Sequence, residues 1–385
     1  MMAVTNLHAQ TSGRTHIARG SHGGFSLIEL MVSVTIGLLI MAALTGLFVN
    51  VTRTNNEMSK TNSQIENGRF SMQFLQNDIV QAGFWGGYVP QYDDLTSTTI
   101  PTDVPTAVPD PCLAYASWNA AHKTNLIGIA VQSYDTLPSV CTSIITNKQA
   151  NTDVLVVRHA ETCVPGVGNC PADTTGKLYF QATNCSTETA TPYVIDTSGY
   201  ILHKKDCTTV ADKRQFIATI YYIRDFAVTA GDGIPTLVRS QFDLSSGTLA
   251  QQAPVALIEG VEGFRVEFGI DSLSKTAAAV DYTAAVTWND STNKILPLNR
   301  GDGTPDGAFV HCSGVGGCTA AQLVDVVAVN LYVLARSVET NAGYTDSKTY
   351  SLGSTTMGPF SDSYKRHVFS TSVRLTNVAG RRETP

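Results

Sequence analysis

Residues Phe25 to Val51 read FSLIELMVSVTIGLLIMAALTGLFVNV. This run of 27 has one charge, Glu29, and no proline. As an α-helix rising ~1.5 Å per residue it spans about 40 Å, enough for a ~30 Å hydrocarbon core with some tilt. No other stretch of the 385 residues comes close, so we read one membrane span. Before it lies Met1–Gly24, with Arg14 and Arg19 and no acid. Positive flanks stay in the cytoplasm, which places the bulk of the chain on the far side.

An ordinary secretory signal has its small-residue cleavage site after the apolar stretch. Here the small pair, Gly23-Gly24, comes before it. Cutting there removes the basic leader and keeps the helix. The stretch Gly24-Phe25-Ser26-Leu27-Ile28-Glu29-Leu30 resembles the processing site of type IV prepilins and of the pseudopilins of type II secretion. The resemblance implies cleavage after Gly24 by a prepilin peptidase and N-methylation of Phe25. That leaves 361 of the 385 residues and moves the formal charge from −6 to −8 with the loss of two arginines. A carboxylate within the bilayer costs roughly 2.5–3.5 kcal/mol at mid-membrane, less near the interface, and persists when a partner compensates. The resemblance implies that Glu29 meets the freed amine of a neighbouring subunit and sets its register. The plainer reading is a glutamate tolerated at the membrane edge.

From Arg53 to Ala82 there is no proline and one glycine, Gly68. Ile65, Met72 and Ile79 recur every seven residues with Phe74 and Leu75 between, an apolar stripe on an otherwise polar helix. We therefore expect one helix from Phe25 to about Ala82, membrane-spanning over 25–52 and amphipathic over 53–83. Gly83, Gly86-Gly87 and Pro90 end it.

Beyond it, residues 84–385 show short runs separated by Gly, Pro, Asn and Asp clusters. The spacing predicts strands over Val154–His159, Leu178–Ala182, Phe216–Val228, Leu237–Phe242, Gly263–Ile270, Val324–Ala335 and Val368–Thr376. Val324–Ala335 is apolar on nearly both faces and should be central. Thr319-Ala-Ala-Gln322 fits a capping box. Leu95–Pro111 reads as an exposed loop, and residues 272–320 as a Gly-, Asn- and Asp-rich insertion. The fold class is α+β: a long N-terminal helix packed on antiparallel sheets of a large C-terminal domain.

Four later segments resemble the PilW family of minor pilins: 231–239 (GDGIPTLVR), 257–271 (LIEGVEGFRVEFGID), 326–337 (VVAVNLYVLARS) and 374–377 (RLTN). The resemblance implies a pilin-like fold and a non-catalytic subunit that helps initiate type IV pilus assembly at or near the tip. Its partners would be the prepilin peptidase, the inner membrane, other minor pilins and the major pilin. It would wait in the inner membrane with its globular part in the periplasm, then pass to the extracellular pilus. A domain of about 300 residues would crowd a filament built mainly from it, which favours low copy number. Two further readings stand beside this one: a GspJ-like minor pseudopilin of type II secretion, and a tip adhesin whose receptor contacts lie in residues 90–230 and 272–320.

Composition narrows the remaining classes. With 26 basic against 32 acidic residues, dispersed, nothing neutralises phosphates at high density, which argues against nucleic acid as a partner. The cysteines, at 112, 141, 163, 170, 185, 207, 312 and 318, all fall beyond the span, on the oxidising side. Eight allow 105 connectivities, which sequence does not resolve. Cys163–Cys170 and Cys312–Cys318 enclose Gly-rich loops that can turn, and Cys112–Cys141 and Cys185–Cys207 complete the expected set. No C-x-x-C or helically spaced histidine pair marks a metal site. Asn299–Gly307, with Asp302 and Asp306, resembles a calcium loop a little but lacks its regular acids. Neither G-x-S-x-G, a P-loop, H-E-x-x-H nor a Cys–His signature occurs, and no cofactor is implied.

Overall fold

The computed structural model describes residues 24–314 and 317–383; the leader, apart from Gly24, lies outside them. Helix α1 (Leu27–Gln81) runs unbroken for 55 residues. After it come α2 (Ala120–Gly128), β1 (Val131–Tyr134), β2 (Val154–Ala160), β3 (Tyr179–Ala182), β4 (Tyr193–Asp196) and β5 (Lys213–Arg224). Next are β6 (Thr236–Ser245), β7 (Thr248–Gln251), β8 (Val255–Glu259), β9 (Val261–Ile270), β10 (Trp288–Asp290), β11 (Ile295–Pro297) and β12 (Val310–His311). The chain closes with α3 (Ala320–Leu323), β13 (Val326–Arg336), β14 (Tyr350–Leu352), β15 (Thr355–Met357), β16 (Arg366–Arg374) and α4 (Thr376–Arg382).

All pairings are antiparallel. An eight-stranded sheet runs β1-β2-β5-β3-β4, with β6 on the other side of β5 and β7 and β8 on β6. A four-stranded sheet runs β12-β9-β13-β16. β13 lies inside it, in register from Val326↔Ile270 on one side and to Arg336↔Arg366 on the other. This is the central place that its two apolar faces predict. β9 is buried along its whole length although it carries Glu262, Arg265 and Glu267. Each charge has a partner: Glu262 pairs with Arg336 and Arg366, Arg265 with Asp153, and Glu267 accepts the Ser354 amide. Buried charges persist on those terms only.

The second half of α1 enters the main core. Met72, Leu75, Ile79 and Ala82 pack with Phe264, Val266 and Phe268 of β9 and with Val327, Val329, Leu331 and Val333 of β13. Burying Leu75 and Ile79 contributes roughly 1.5–3 kcal/mol each. The helix stops where Gly83 turns to φ +74°, a conformation favouring a residue without Cβ. Its last carbonyls are met from the far end of the chain: Asn377 donates to Val80 and Ala82 at 3.1 and 3.3 Å.

Several expected boundaries move. The Phe216–Val228 strand ends at Arg224, where the Arg224 guanidinium turns onto the Phe226 and Ala227 carbonyls. Thr376 opens α4 instead of closing β16. The Leu95–Pro111 loop is exposed only in part: Pro101, Pro105 and Pro109 are buried, and Pro109 accepts from Gln132 at 2.9 Å. Residues 272–320 hold β10–β12 and lead into α3, whose Thr319–Gln322 capping box forms in full. Asp302 accepts from Thr304 and Asp306 from the Leu273 amide at 2.7 Å. Bridges join Cys112–Cys141, Cys163–Cys170, Cys185–Cys207 and Cys312–Cys318.

Candidate functional site

Ser26 and Glu29 close the start of α1 upon each other. The Ser26 amide donates to the Glu29 carboxylate at 3.0 Å, and the Glu29 amide to Ser26 Oγ at 3.4 Å. This is a reciprocal capping box, satisfying donors that a helix start otherwise leaves bare. The S-x-x-E spacing of Ser26 and Glu29 is the sequence signature of such a box. Gly24 is exposed and Phe25 is 84% exposed.

From Gly24 to Asn56 every residue is exposed, and the most apolar 18-residue window has a mean hydropathy of 2.4. The polar atoms inside this stretch are satisfied within the helix. Ser33 donates to the Glu29 carbonyl at 2.8 Å, Thr35 to Met31 at 2.9 Å and Thr45 to Met41 at 2.7 Å. With hydroxyls and backbone internally bonded, the helix presents lipid with an apolar surface. Such a surface in contact with water would be strongly unfavourable.

The lower half of α1 is held by polar clamps that periodicity does not show. Gln64 is buried and donates to the Ala335 and Lys365 carbonyls at 2.7 and 3.0 Å. Asn67 donates to Glu259 at 3.1 Å, and Lys60 pairs with Glu339 at 3.2 Å. Gly68 lies against Phe369, whose ring occupies the place of any Cβ there. Asp78 accepts from Tyr221 at 2.9 Å and from His159 at 3.0 Å. Burial pulls the His159 imidazole down, but the hydrogen bond and charge of Asp78 outweigh it, and its pKa is raised.

The segments read as family motifs all take part in this dock. Asp232 gathers the amides of Ala227, Val228, Thr229 and Ile234, which holds its carboxyl down at about 2. The 257–271 stretch carries the chain from β8, paired with β6 in the larger sheet, into β9 of the four-stranded sheet, 326–336 is β13, and Asn377 caps α1. The model of the Type IV Pilus-assembly protein W family matches residues 220–377, and the Prokaryotic N-terminal methylation motif matches residues 19–45. The chain thus carries a PilW-family segment behind a prepilin-type methylation motif, the combination of a type IV pilin-like protein. No curated protein matches it. Among solved structures it is similar to a type IV-like pilin from Thermus thermophilus, 14% identical over 60% of this chain and 80% of that one. The TM-score is 0.22, too low to support a structural comparison. The methylation motif implies processing by a prepilin peptidase and pilin partners, and with the apolar helix it fits anchoring in a membrane.

Among the described residues, one group of acids and thiols lies close enough to hold a metal: Asp110, Cys112 and Cys141. The two cysteines are bonded to each other, so neither offers the thiolate a metal needs.

Proposed function

We propose that this chain is a minor pilin that helps initiate type IV pilus assembly and sits at or near the pilus tip. One observation carries the reading: a processable N-terminus opens an apolar helix with no burial of its own, on a protein whose other apolar elements are buried. Such a helix is stable in lipid or against like helices. Assembly exchanges one for the other. In this reading residues 1–24 are the leader, 25–52 the span, 53–83 the docked half of the helix and 84–385 the periplasmic domain. Gly24 and Phe25 are the cleavage and methylation positions. Glu29 accepts the amine of a neighbouring subunit at the helix start, where a charge is otherwise costly. The eight cysteines are expected to be oxidised in the periplasm, which hardens the domain before export.

The size of the domain supports a place at the end of the filament over one along the shaft. Immunogold labelling of sheared pili tests this: label confined to pilus ends is expected, and label spaced along the shaft would reject a tip position. Mass spectrometry of the native protein is expected to find N-methylated Phe25 at its start. An intact leader, or a cut beyond Val51, would overturn the pilin role itself.

A further inference from the structure

Strand β16 forms one edge of the four-stranded sheet and pairs only with β13. Its two ends fix the bonding pattern. The Leu375 amide donates to the Val327 carbonyl at 2.8 Å, and the Ser337 amide to the Lys365 carbonyl at 2.9 Å. Between them the register runs from Ala328↔Arg374 to Arg336↔Arg366 without a shift. In an antiparallel pair, residues that exchange bonds alternate with residues that do not. The odd-numbered residues of β16 therefore bond to β13, while Val368, Ser370 and Ser372 turn both N–H and C=O outward. No described residue bonds to these outward groups.

A bare edge is a template for another strand, and natural sheets shorten, charge, bend or cover theirs. The remaining edges of the two large sheets follow that rule. β12 has two residues and β7 four. β4 also has four, and its Asp196 is paired with Lys123. β1 is buried throughout, and β8 meets β6 with a register shift. β16 has none of these devices. It is nine residues long, and from His367 to Val373 it has no Pro, Gly, Lys, Asp or Glu. Ser370 and Ser372 are exposed, and Val368 and Phe369 are half-buried.

β16 runs beside the docked half of α1 and in the same sense. The Lys365 carbonyl receives Gln64, Phe369 covers Gly68, and Thr376 and Asn377 reach the Val80 carbonyl. Two copies joined antiparallel through this edge, about a two-fold axis, would point these helix halves in opposite directions. That opposes a common anchorage in one membrane, so the occupant belongs to a different chain. The methylation motif implies pilin partners. We propose that β16 takes up an extended strand from another pilin-like subunit, continuing the four-stranded sheet across the contact. Main-chain bonds at Val368, Ser370 and Ser372 hold the guest strand, and its alternate side chains cover Phe369 on the α1 face and Val368 on the other. The proposal rests on the pilin reading above.

The test places the photocrosslinker benzoylphenylalanine at Ser370 of the full chain in cells of the native host, with the same group at exposed Ser291 as control. An adduct of this chain with another pilin-like subunit, identified by mass spectrometry, is expected from Ser370 and not from Ser291. Ser372→Pro removes an outward N–H and leaves the bonds to β13 in place. It should cut the adduct by about fivefold or more with little change in melting temperature, because main-chain bonds supply the affinity in strand addition. Thr371→Pro removes a bond to Leu331 and should lower the melting temperature instead. Should Ser372→Pro not fold, Ser372→Lys, which puts a charge on the edge, must cut the adduct in the same way. The proposal is overturned by no adduct, by an adduct of two copies of this chain or with another class of protein, by equal crosslinking from Ser291, or by an adduct that both Ser372 variants leave unchanged. The N-terminus is read in the same cells: N-methylated Phe25 without the adduct overturns strand addition alone, and an intact leader overturns the pilin reading.

Discussion

Glu29 has two tasks in this chain, and one substitution separates them. Its carboxylate accepts the Ser26 amide, a cap worth about 1 kcal/mol. Its charge is the group proposed to meet a neighbour's amine. Glutamine keeps the acceptor and loses the charge. Glu29→Gln is therefore expected to leave helix content and membrane insertion unchanged, yet reduce incorporation as far as Glu29→Ala does, scored by immunoblot of sheared pili. Wild-type incorporation in the glutamine variant would assign the residue to capping alone. Gly68 offers a second test of local reasoning. Alanine is the better helix former by ~1 kcal/mol, but its methyl would fall on the Phe369 ring, and overpacking costs about 1–3 kcal/mol. Gly68→Ala should lower the melting temperature of the detergent-solubilised protein, and Phe369→Leu added to it should restore part of the loss. A stabilised Gly68→Ala would mean that the ring swings aside freely.

Helix α1 docks by polar contacts as much as by its stripe, and one of them titrates. His159 has Nδ1 at 2.9 Å from the Ala160 carbonyl and Nε2 at 3.0 Å from Asp78. Both partners accept, so both nitrogens donate and the ring is charged. A pKa raised in the fold means stabilisation that is full below the ordinary value of 6.5 and lost as pH rises through the folded value. Melting temperature should fall as pH is raised above about 6.5, and His159→Gln should flatten that slope. His311, raised first by its hydrogen bond to Asp153, has the same sign, so the double His159→Gln/His311→Gln variant should be flatter still. A slope unchanged in both variants would show that α1 is not held through this ion pair. At the other end of the dock, Asn377→Ala removes the donors to Val80 and Ala82. It should cost about 1 kcal/mol, the usual net worth of a hydrogen bond, measured by chemical denaturation.

Across the molecule, covalent staples and buried ion clusters share the task of holding long loops. The Cys112–Cys141 bridge closes a sequence separation of 29 and Cys163–Cys170 one of 7. Loop-closure entropy assigns them about 3.5 and about 2.3 kcal/mol. Replacing the first pair by alanine should therefore destabilise the protein more than replacing the second, by denaturant midpoint; the reverse order would mean that native-state packing dominates over the unfolded chain. Arg382 shows the ionic counterpart. It is buried among Asp93, Asp271 and Asp325, and it joins the last helix to residues some 290, 110 and 60 positions earlier.

Much of this architecture is written in local pattern. A run of 27 residues with one charge is a helix that needs lipid or its like. Val324–Ala335 is apolar on nearly both faces and its strand lies inside its sheet, and Phe369, Thr371 and Val373 alternate as a half-buried strand must. Period and composition are properties of neighbours in the chain, and they survive without knowledge of the fold. Short strands such as β1, VQSY, and β4, YVID, carry too few residues for a period to register, and they exist because β2 and β3 offer them an edge. The burial of Gln64, Asp153 and Glu262 is likewise illegible in sequence, since each reads as a surface residue. Their partners come from afar: Gln64 meets Ala335 across 271 positions and Glu262 meets Arg366 across 104. Local spacing determines which segments become helix or strand; only the closed fold, by removing water, decides which polar groups must find one another.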